Sequence, residues 1–504
     1  MPTSQVTRKK ALALGFVLAG LAAGLLAFSQ SLSAHTDEGF HLLAAQLINA
    51  GKRPYLDFFY QHAPLYVYGS ALWMNVFGET WRSAHVLSVL LTTGSLWLAG
   101  AFVLNRIPEP KWQTPAAIAC VLLPGFDLLF IRFGSVAQPY ALSLFLSVAA
   151  FRLAVDSAGR AAGALPAGAG LCAGAAAGSS LLAAPVAPVL LAWMVRHNRA
   201  GSRPRKCALF LAGMSVALLP LLWLAIQGPR QTFFDVVEFH LFYRMPGDRH
   251  PPFLEHNLRE ISTWLTSPET LLLGFLAGAG LLFLSARHDW SAERLAEFRL
   301  CAWLAGVLAI YLAIPRPTYR QYFILTLPFL SILASVGIYA LGTRIWPQGR
   351  PARLVLAIAA LLALGLARSA FQFRPGLRSY WPDVEKLSQR MDRVTPRNAP
   401  LYAREEIYFV TRRLPPAGLE NPFAPGLNLP PGLAASLRIT PQSQLDEWLA
   451  SGKFATVWLD ADDPRIESLG LDRLYAKKEK VQIMRFHPRG GYIFFEPMLF
   501  ASRP

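Results

Sequence analysis

His35-Thr36-Asp37-Glu38-Gly39-Phe40-His41, followed by Gly51-Lys52-Arg53-Pro54-Tyr55-Leu56-Asp57 and Gln61-His62-Ala63-Pro64, is the one long polar interruption in the first third of the chain. It opens directly after an apolar run from Ala11 to Phe28. A run of that length can cross a bilayer as a helix. Arg8, Lys9 and Lys10 precede it, but no convincing small-residue cleavage site follows before the acidic pair, so a retained signal anchor is expected. Asp37 and Glu38 then lie just beyond the mouth of a membrane helix, where a site for a lipid-borne substrate would be needed.

The rest of the chain agrees with that reading. Of 504 residues, 53% are hydrophobic and 16% charged, against about 25% charged in soluble proteins, so an α-helical polytopic membrane protein is expected. Runs of roughly 17 to 22 residues, taken as crossings, fall near 11–29, 84–104, 114–131, 136–155, 163–179, 181–195, 207–227, 270–286, 300–314, 321–342 and 354–369, about eleven transmembrane helices. The stretch Ala161 to Val195 would be roughly 52 Å long as one helix. A turn at Ser179-Ser180, before Pro185 and Pro188, is expected to divide it.

The net charge of +17 follows topology rather than a nucleic-acid partner, and none is expected. Arg196, Arg199, Arg203, Arg205 and Lys206 crowd one short loop without an acid, which assigns that loop to the cytoplasm. The N-terminus is then cytoplasmic. An odd number of crossings carries the loop 31–83, the loop 228–269, the loop 315–320 and the tail to the extracytoplasmic side, for a bacterial inner (cytoplasmic) membrane. Residues 1–369 are expected to form a transmembrane domain with a catalytic outer loop 31–83, and 370–504 a C-terminal soluble α/β domain. In that tail the patterning predicts helices over Pro382–Met391, Glu405–Arg412 and Gln442–Ala450, a short apolar run at Ala399–Ala403, and a buried strand over Phe454–Leu459. No Gly-rich phosphate loop follows a strand there, so no nucleotide is implied. The four cysteines lie in or beside apolar runs without paired spacing, which suggests packing rather than disulfides or zinc.

Several polar residues can carry chemistry. A carboxylate within reach of an acceptor hydroxyl can take its proton as that oxygen attacks an activated carbon; Asp37 is the candidate base, beside Glu38. The alternative is that the pair caps a helix over Gly39–Ile48. Arg82, Arg316 and Arg320 lie on the outer side, where arginine is disfavoured. A phosphate leaving group would explain them through charge-assisted hydrogen bonds, as would snorkelling or pairing with Asp57 or Glu79. His35, Asp37 and His41 do not form a recognised metal pattern, so no cofactor is expected, with a divalent metal the remote option. His62 is better placed to donate a hydrogen bond to a phosphate or sugar. The aromatic groups Phe58-Phe59-Tyr60 with Tyr66 and Tyr68, and Phe233-Phe234 with Phe239, Phe242 and Tyr243, read as interfacial anchors. Asp127 and Arg132 read as a local polar pair.

These residues fall into a pattern. A first span ending at Asp37-Glu38, then Gly51-Lys52-Arg53-Pro54-Tyr55-x-Asp57, His62-x-Pro64 and Gly78-x-x-x-Arg82, resembles the polytopic GT-C glycosyltransferases of the protein mannosyltransferase and aminoarabinose transferase kind. Tyr319-Arg320-Gln321-Tyr322 running into Leu327-Pro328 resembles that family's Arg-Tyr…Pro segment. Ala403-Arg404-Glu405-Glu406-Ile407-Tyr408-Phe409 followed by Arg412-Arg413-Leu414-Pro415-Pro416 resembles its outer domain. The chain departs at Gln138, where many relatives carry Asp, and at Ala183-Ala184-Pro185, where many carry Lys before Pro. The resemblance implies transfer of a sugar, with inversion, from a polyprenyl-phosphate donor to a lipid, glycan or protein acceptor among the membrane lipids. Asp37 would then be the general base. Tyr55, Asp57, His62, Arg82, Arg316, Arg320 and Tyr322 would be substrate-binding candidates. A lipid-linked glycan transporter and a non-catalytic envelope assembly factor are the alternatives. Transport is disfavoured because the spans are nearly charge-free while polar groups gather on one side.

Overall fold

The computed structural model of the chain describes residues 4–31, 37–160, 163–244, 253–286, 290–372, 381–427, 429–482 and 490–498. It divides into two compact units, one of Met1–Ser29, His85–Leu221 and Gly247–Arg374, the other of Gln30–Ala84, Leu222–Pro246 and Pro375–Pro504. The polar stretch after the first helix therefore packs in the same unit as the tail.

Most of the first unit is apolar helix. Among the described residues, eight helices are long and apolar enough to cross a membrane: Arg8–Ser31, Trp81–Arg106, Pro139–Ala158, Arg203–Gln227, Pro268–Ala286, Ala292–Leu312, Arg320–Ile345 and Pro351–Arg368. The protein is a multi-pass membrane protein. A ninth crossing is made if Pro110–Gly125 and Leu128–Gly134 count as one broken span, bent by 72°. The bend follows Pro124-Gly125, and Asp127 restarts the helix by accepting the Phe130 N–H at 3.1 Å. That interaction replaces the expected Asp127–Arg132 pair; the Arg132 guanidinium lies instead over the Phe133 ring. The long stretch 161–195 breaks at Ser180, which is extended (φ −154°, ψ 124°), into Leu165–Ser179 and Val186–His197. At 15 and 12 residues these helices are shorter than the roughly 17 residues a crossing needs.

Small residues let these helices meet backbone to backbone, the usual contact where lipid removes the hydrophobic drive between helices. A Cβ on Gly337 would lie 1.9 Å from the Leu276 carbonyl oxygen, and one on Gly280 would lie 2.3 Å from that of Leu333. The Arg320–Ile345 helix is central, with 89% of its apolar window buried; Pro351–Arg368 is peripheral, with 11% buried. Its exposed Leu356, Leu361 and Leu364 form the sort of surface that lipid covers.

In the second unit the polar stretch supplies the helices Glu38–Asn49 and Leu65–Phe77, and the tail a four-stranded sheet. The strands are β1 (Leu401–Tyr402), β2 (Thr456–Asp460), β3 (Tyr475–Val481) and β4 (Gly491–Pro497), in the order β1-β2-β4-β3. β1 runs parallel to β2 and the other pairs are antiparallel. Val457 and Leu459 of β2 pack with Phe494 of β4 onto Leu445 and Leu449 of the Gln442–Ala450 helix. β3, which reads Tyr-Ala-Lys-Lys-Glu-Lys-Val, is a largely exposed edge whose charges resist further strand pairing. The first aromatic group is core rather than interfacial. Phe58, Phe59 and Tyr60 are buried, and Phe59 packs on Phe234 and Phe239 beside Leu427, Leu437 and Ile439 of the tail. Phe233 and Phe242 remain exposed.

Candidate active site

The Glu38–Asn49 helix begins at Asp37 and carries the acidic pair into the second unit. Asp37 occupies the N-cap position (φ −79°, ψ −2°) yet makes no side-chain cap hydrogen bond. It keeps partial exposure, whereas Glu38 is fully buried and accepts the Trp381 indole N–H at 3.2 Å. Trp381 stacks on Trp81 with centroids 5.5 Å apart, and the Trp81 indole N–H donates to Glu385 at 2.8 Å.

Two more carboxylates, overlooked as site residues in the sequence, meet the pair. Glu405 and Glu406 open the helix Glu405–Thr411, and both are buried. The place where they touch is Gly39: a Cβ there would lie 2.6 Å from Glu405 Cγ and 2.7 Å from Glu406 Cγ. The Gly after Asp37-Glu38 is thus required by a close approach, and the Arg404-Glu405-Glu406 run was the available signal for it. Gly39→Ala is expected to cost about 1–3 kcal/mol, the range for overpacking, and to lower the thermal midpoint of the purified protein.

Burial, with the neighbouring Glu406 carboxylate and with Asp37 adding to it against Arg404, pushes Glu405 up to about 8. A folded-state value above the ordinary 4.5 means that the native state binds the proton more tightly than the unfolded chain. The associated stability is complete below about 4.5 and is lost as pH rises through about 8. The thermal midpoint is expected to fall between pH 5 and pH 8.5. Glu405→Gln should flatten that slope without abolishing it, because burial also raises Glu420, to about 7, and Asp235.

The loop beyond the helix is fixed by polar contacts within it and to Asp235 and Asn421. Tyr55 is buried in the left-handed region (φ +68°), uncommon for a bulky residue. Its hydroxyl donates to the His62 carbonyl at 2.6 Å and its N–H to the Phe58 carbonyl at 2.9 Å. Asp235 accepts the Tyr60 N–H at 2.9 Å, and Asn421 donates to the Gln61 side chain at 2.5 Å. His62 is half-buried, stacked on Phe40 at 5.7 Å and near His41 and His240 at 5.0 and 5.9 Å. Burial, then the neighbouring histidines, hold it well below the ordinary imidazole range, so at neutral pH it offers a hydrogen bond and no charge. Asp57 is engaged by Arg53, whose guanidinium donates at 3.0 and 3.1 Å. Arg82 is paired with neither Asp57 nor Glu79 but with Glu385, at 2.5 Å, and lies over the Trp81 ring.

Arg316, Arg320 and Tyr322 belong to the first unit. Arg316 and Arg320 are exposed and Tyr322 is buried against Tyr319. The Arg320 N–H donates to Glu260 at 3.4 Å, and its guanidinium repels that of Arg132. His35 lies outside the described residues.

This architecture has solved counterparts. ArnT from Cupriavidus metallidurans bound to undecaprenyl phosphate superposes with a TM-score of 0.68 over 95% of this chain and 97% of its own, at 12% identity. The fold is that of ArnT. The same protein in the apo state gives the same values. The Archaeoglobus fulgidus oligosaccharyltransferase in complex with zinc and sulfate gives a TM-score of 0.50 at 13% identity, over 87% of this chain and 68% of its own. No protein-family model and no curated protein matches the chain. The GT-C resemblance read from motifs is thus carried by the whole architecture, at an identity that speaks to fold alone.

Proposed function

We propose that this protein is an integral membrane glycosyltransferase that moves a sugar from a polyprenyl-phosphate donor to a lipid, glycan or protein acceptor on the outer face of a bacterial inner membrane, with inversion. The observation that carries this reading is the ArnT fold over nearly the full chain, with the Asp37-Glu38 pair at the head of the helix that opens the first polar segment. ArnT bound to undecaprenyl phosphate supports a polyprenyl-linked donor. In the proposed step, Asp37 takes the proton of the acceptor hydroxyl and the freed oxygen attacks the anomeric carbon. The bond from that carbon to the phosphate oxygen breaks, and polyprenyl phosphate leaves with the electron pair. Glu38, buried against Trp381, orients the segment. Because Arg82 is already neutralised by Glu385, Arg320 is the better candidate for the leaving phosphate.

The test is transfer of labelled sugar from a polyprenyl-phosphate donor to membrane lipid or protein by the purified chain. Movement of the intact donor across vesicles, with its glycosidic bond uncleaved, would favour a flippase instead. Orientation is checked separately. A reporter fused after Gly349 should report the cytoplasm and one fused after Pro504 the outer side; the opposite pattern would put the acidic pair on the wrong face for an extracytoplasmic donor.

A further inference from the structure

The second unit contains a cleft that includes the candidate Asp57 but neither Asp37 nor Arg320, the groups assigned to the transfer step. Its volume is about 370 Å³, and it is lined by Lys52, Asp57, Arg438 and Thr440 with the apolar Ala435 and Ile439. Lys52 follows the far end of the helix whose N-cap is Asp37. Its 12 residues put roughly 18 Å between the two along the helix axis. The cleft is therefore a different place from the Asp37 carboxylate.

Its chemistry is that of a receptor for one anionic sugar. Asp57 is held by the Arg53 guanidinium and backbone N–H, so it contributes little free negative charge. Glu420 stands behind the wall, accepting the Gly418 N–H at 2.7 Å and feeling the Lys52 charge. Lys52 and Arg438 are exposed at the rim. Arg438 is in the left-handed region (φ +59°), and its Nε–H donates to the Leu56 carbonyl at 3.2 Å; this fixes the root of the guanidinium. Gly418 closes the wall, since a Cβ there would lie 2.4 Å from the Thr440 hydroxyl. The apolar Ala435 and Ile439 side chains suit the C–H face of a pyranose, and two cations suit a phosphate or carboxylate. The volume is at the small end of ligand sites, roughly 300–1,000 Å³, which suits a single substituted sugar.

We propose that this cleft binds a phosphate- or carboxylate-bearing sugar of an extended acceptor, apart from the hydroxyl that is glycosylated. The acceptor role rests on the glycosyltransferase reading; the binding does not. The probe is glucose 6-phosphate, followed by saturation-transfer NMR on the full-length protein in detergent, with glucose and inorganic phosphate as comparisons. Glucose 6-phosphate should bind, and both comparison ligands at least 10-fold more weakly. Lys52→Ala, which removes an exposed rim charge, should weaken it several-fold. Lys52→Ala/Arg438→Ala should do so at least 10-fold at an unchanged thermal midpoint, while Asp37→Asn should bind as wild type. Equal binding by wild type and the double variant, or inorganic phosphate binding as well as the sugar phosphate, would overturn the proposal. In the transfer assay with an anionic acceptor the double variant should raise KM about 10-fold with kcat near wild type. A wild-type protein that binds the probe but transfers nothing would remove the glycosyltransferase reading and leave the cleft standing.

Discussion

Asp37→Asn should fold and insert normally, keep binding a polyprenyl-phosphate sugar, and lose transfer by roughly 10² to 10⁴, the range for removing a general base. The amide preserves shape and hydrogen bonding but cannot take a proton at neutral pH. A helix cap would not make that distinction, since Asn and Asp cap about equally well, and here the Asp37 side chain makes no cap hydrogen bond. Electrostatics sharpens the expectation. Asp37 adds to the repulsion that raises Glu405, so removing its charge should leave the thermal midpoint unchanged or slightly higher while activity collapses. Glu38→Gln should be milder for turnover. Its carboxylate is fully buried and occupied by the Trp381 indole, a bond that the Gln side-chain oxygen can still accept. The measurement is labelled-sugar transfer by purified variants beside their thermal unfolding. Wild-type rates from Asp37→Asn would take the base away from this residue.

Arg320→Ala should cut turnover by roughly 10² or more, as loss of one preorganised electrostatic donor does. Arg320→Lys should recover only part, because an ammonium cannot reproduce a bidentate guanidinium. The side chain is exposed, the contact to Glu260 is made by the backbone N–H, and the guanidinium charge repels Arg132. Removing it therefore relieves a like-charge contact and should not destabilise the fold. A change in kcat at constant thermal midpoint is the expected signature. Full activity from Arg320→Ala would return this arginine to a solvated role at the membrane surface.

What the sequence determined by itself was whatever is periodic or local. Apolar runs longer than a bilayer is thick leave helix as the form that satisfies every backbone group in lipid, so the membrane architecture was legible, as was the break at Ser180. The Gln442–Ala450 helix and the apolar core of β2 were legible for the same reason: each buries a face whose period can be read. β3 was not, because Lys477, Lys478, Glu479 and Lys480 give an edge strand no apolar alternation; its pairing with β4 supplies the order. The bend inside the span read at 114–131 was not legible, because Asp127 turns its carboxylate to its own helix rather than to Arg132.

At the candidate site the division is sharper. Asp37, Glu38 and the short helix behind them could be read from the acidic pair at the end of an apolar run. The tertiary structure alone decided that Glu405 and Glu406, more than 360 residues away in the chain, would press on Gly39, and that Arg82 would find Glu385 instead of Asp57. It also decided that Phe58, Phe59 and Tyr60 would be core. The physical reason is common to all of these. A carboxylate or an aromatic ring has the same local signature whether water, lipid or another segment covers it, and only the long-range packing of the tail fixes which one does.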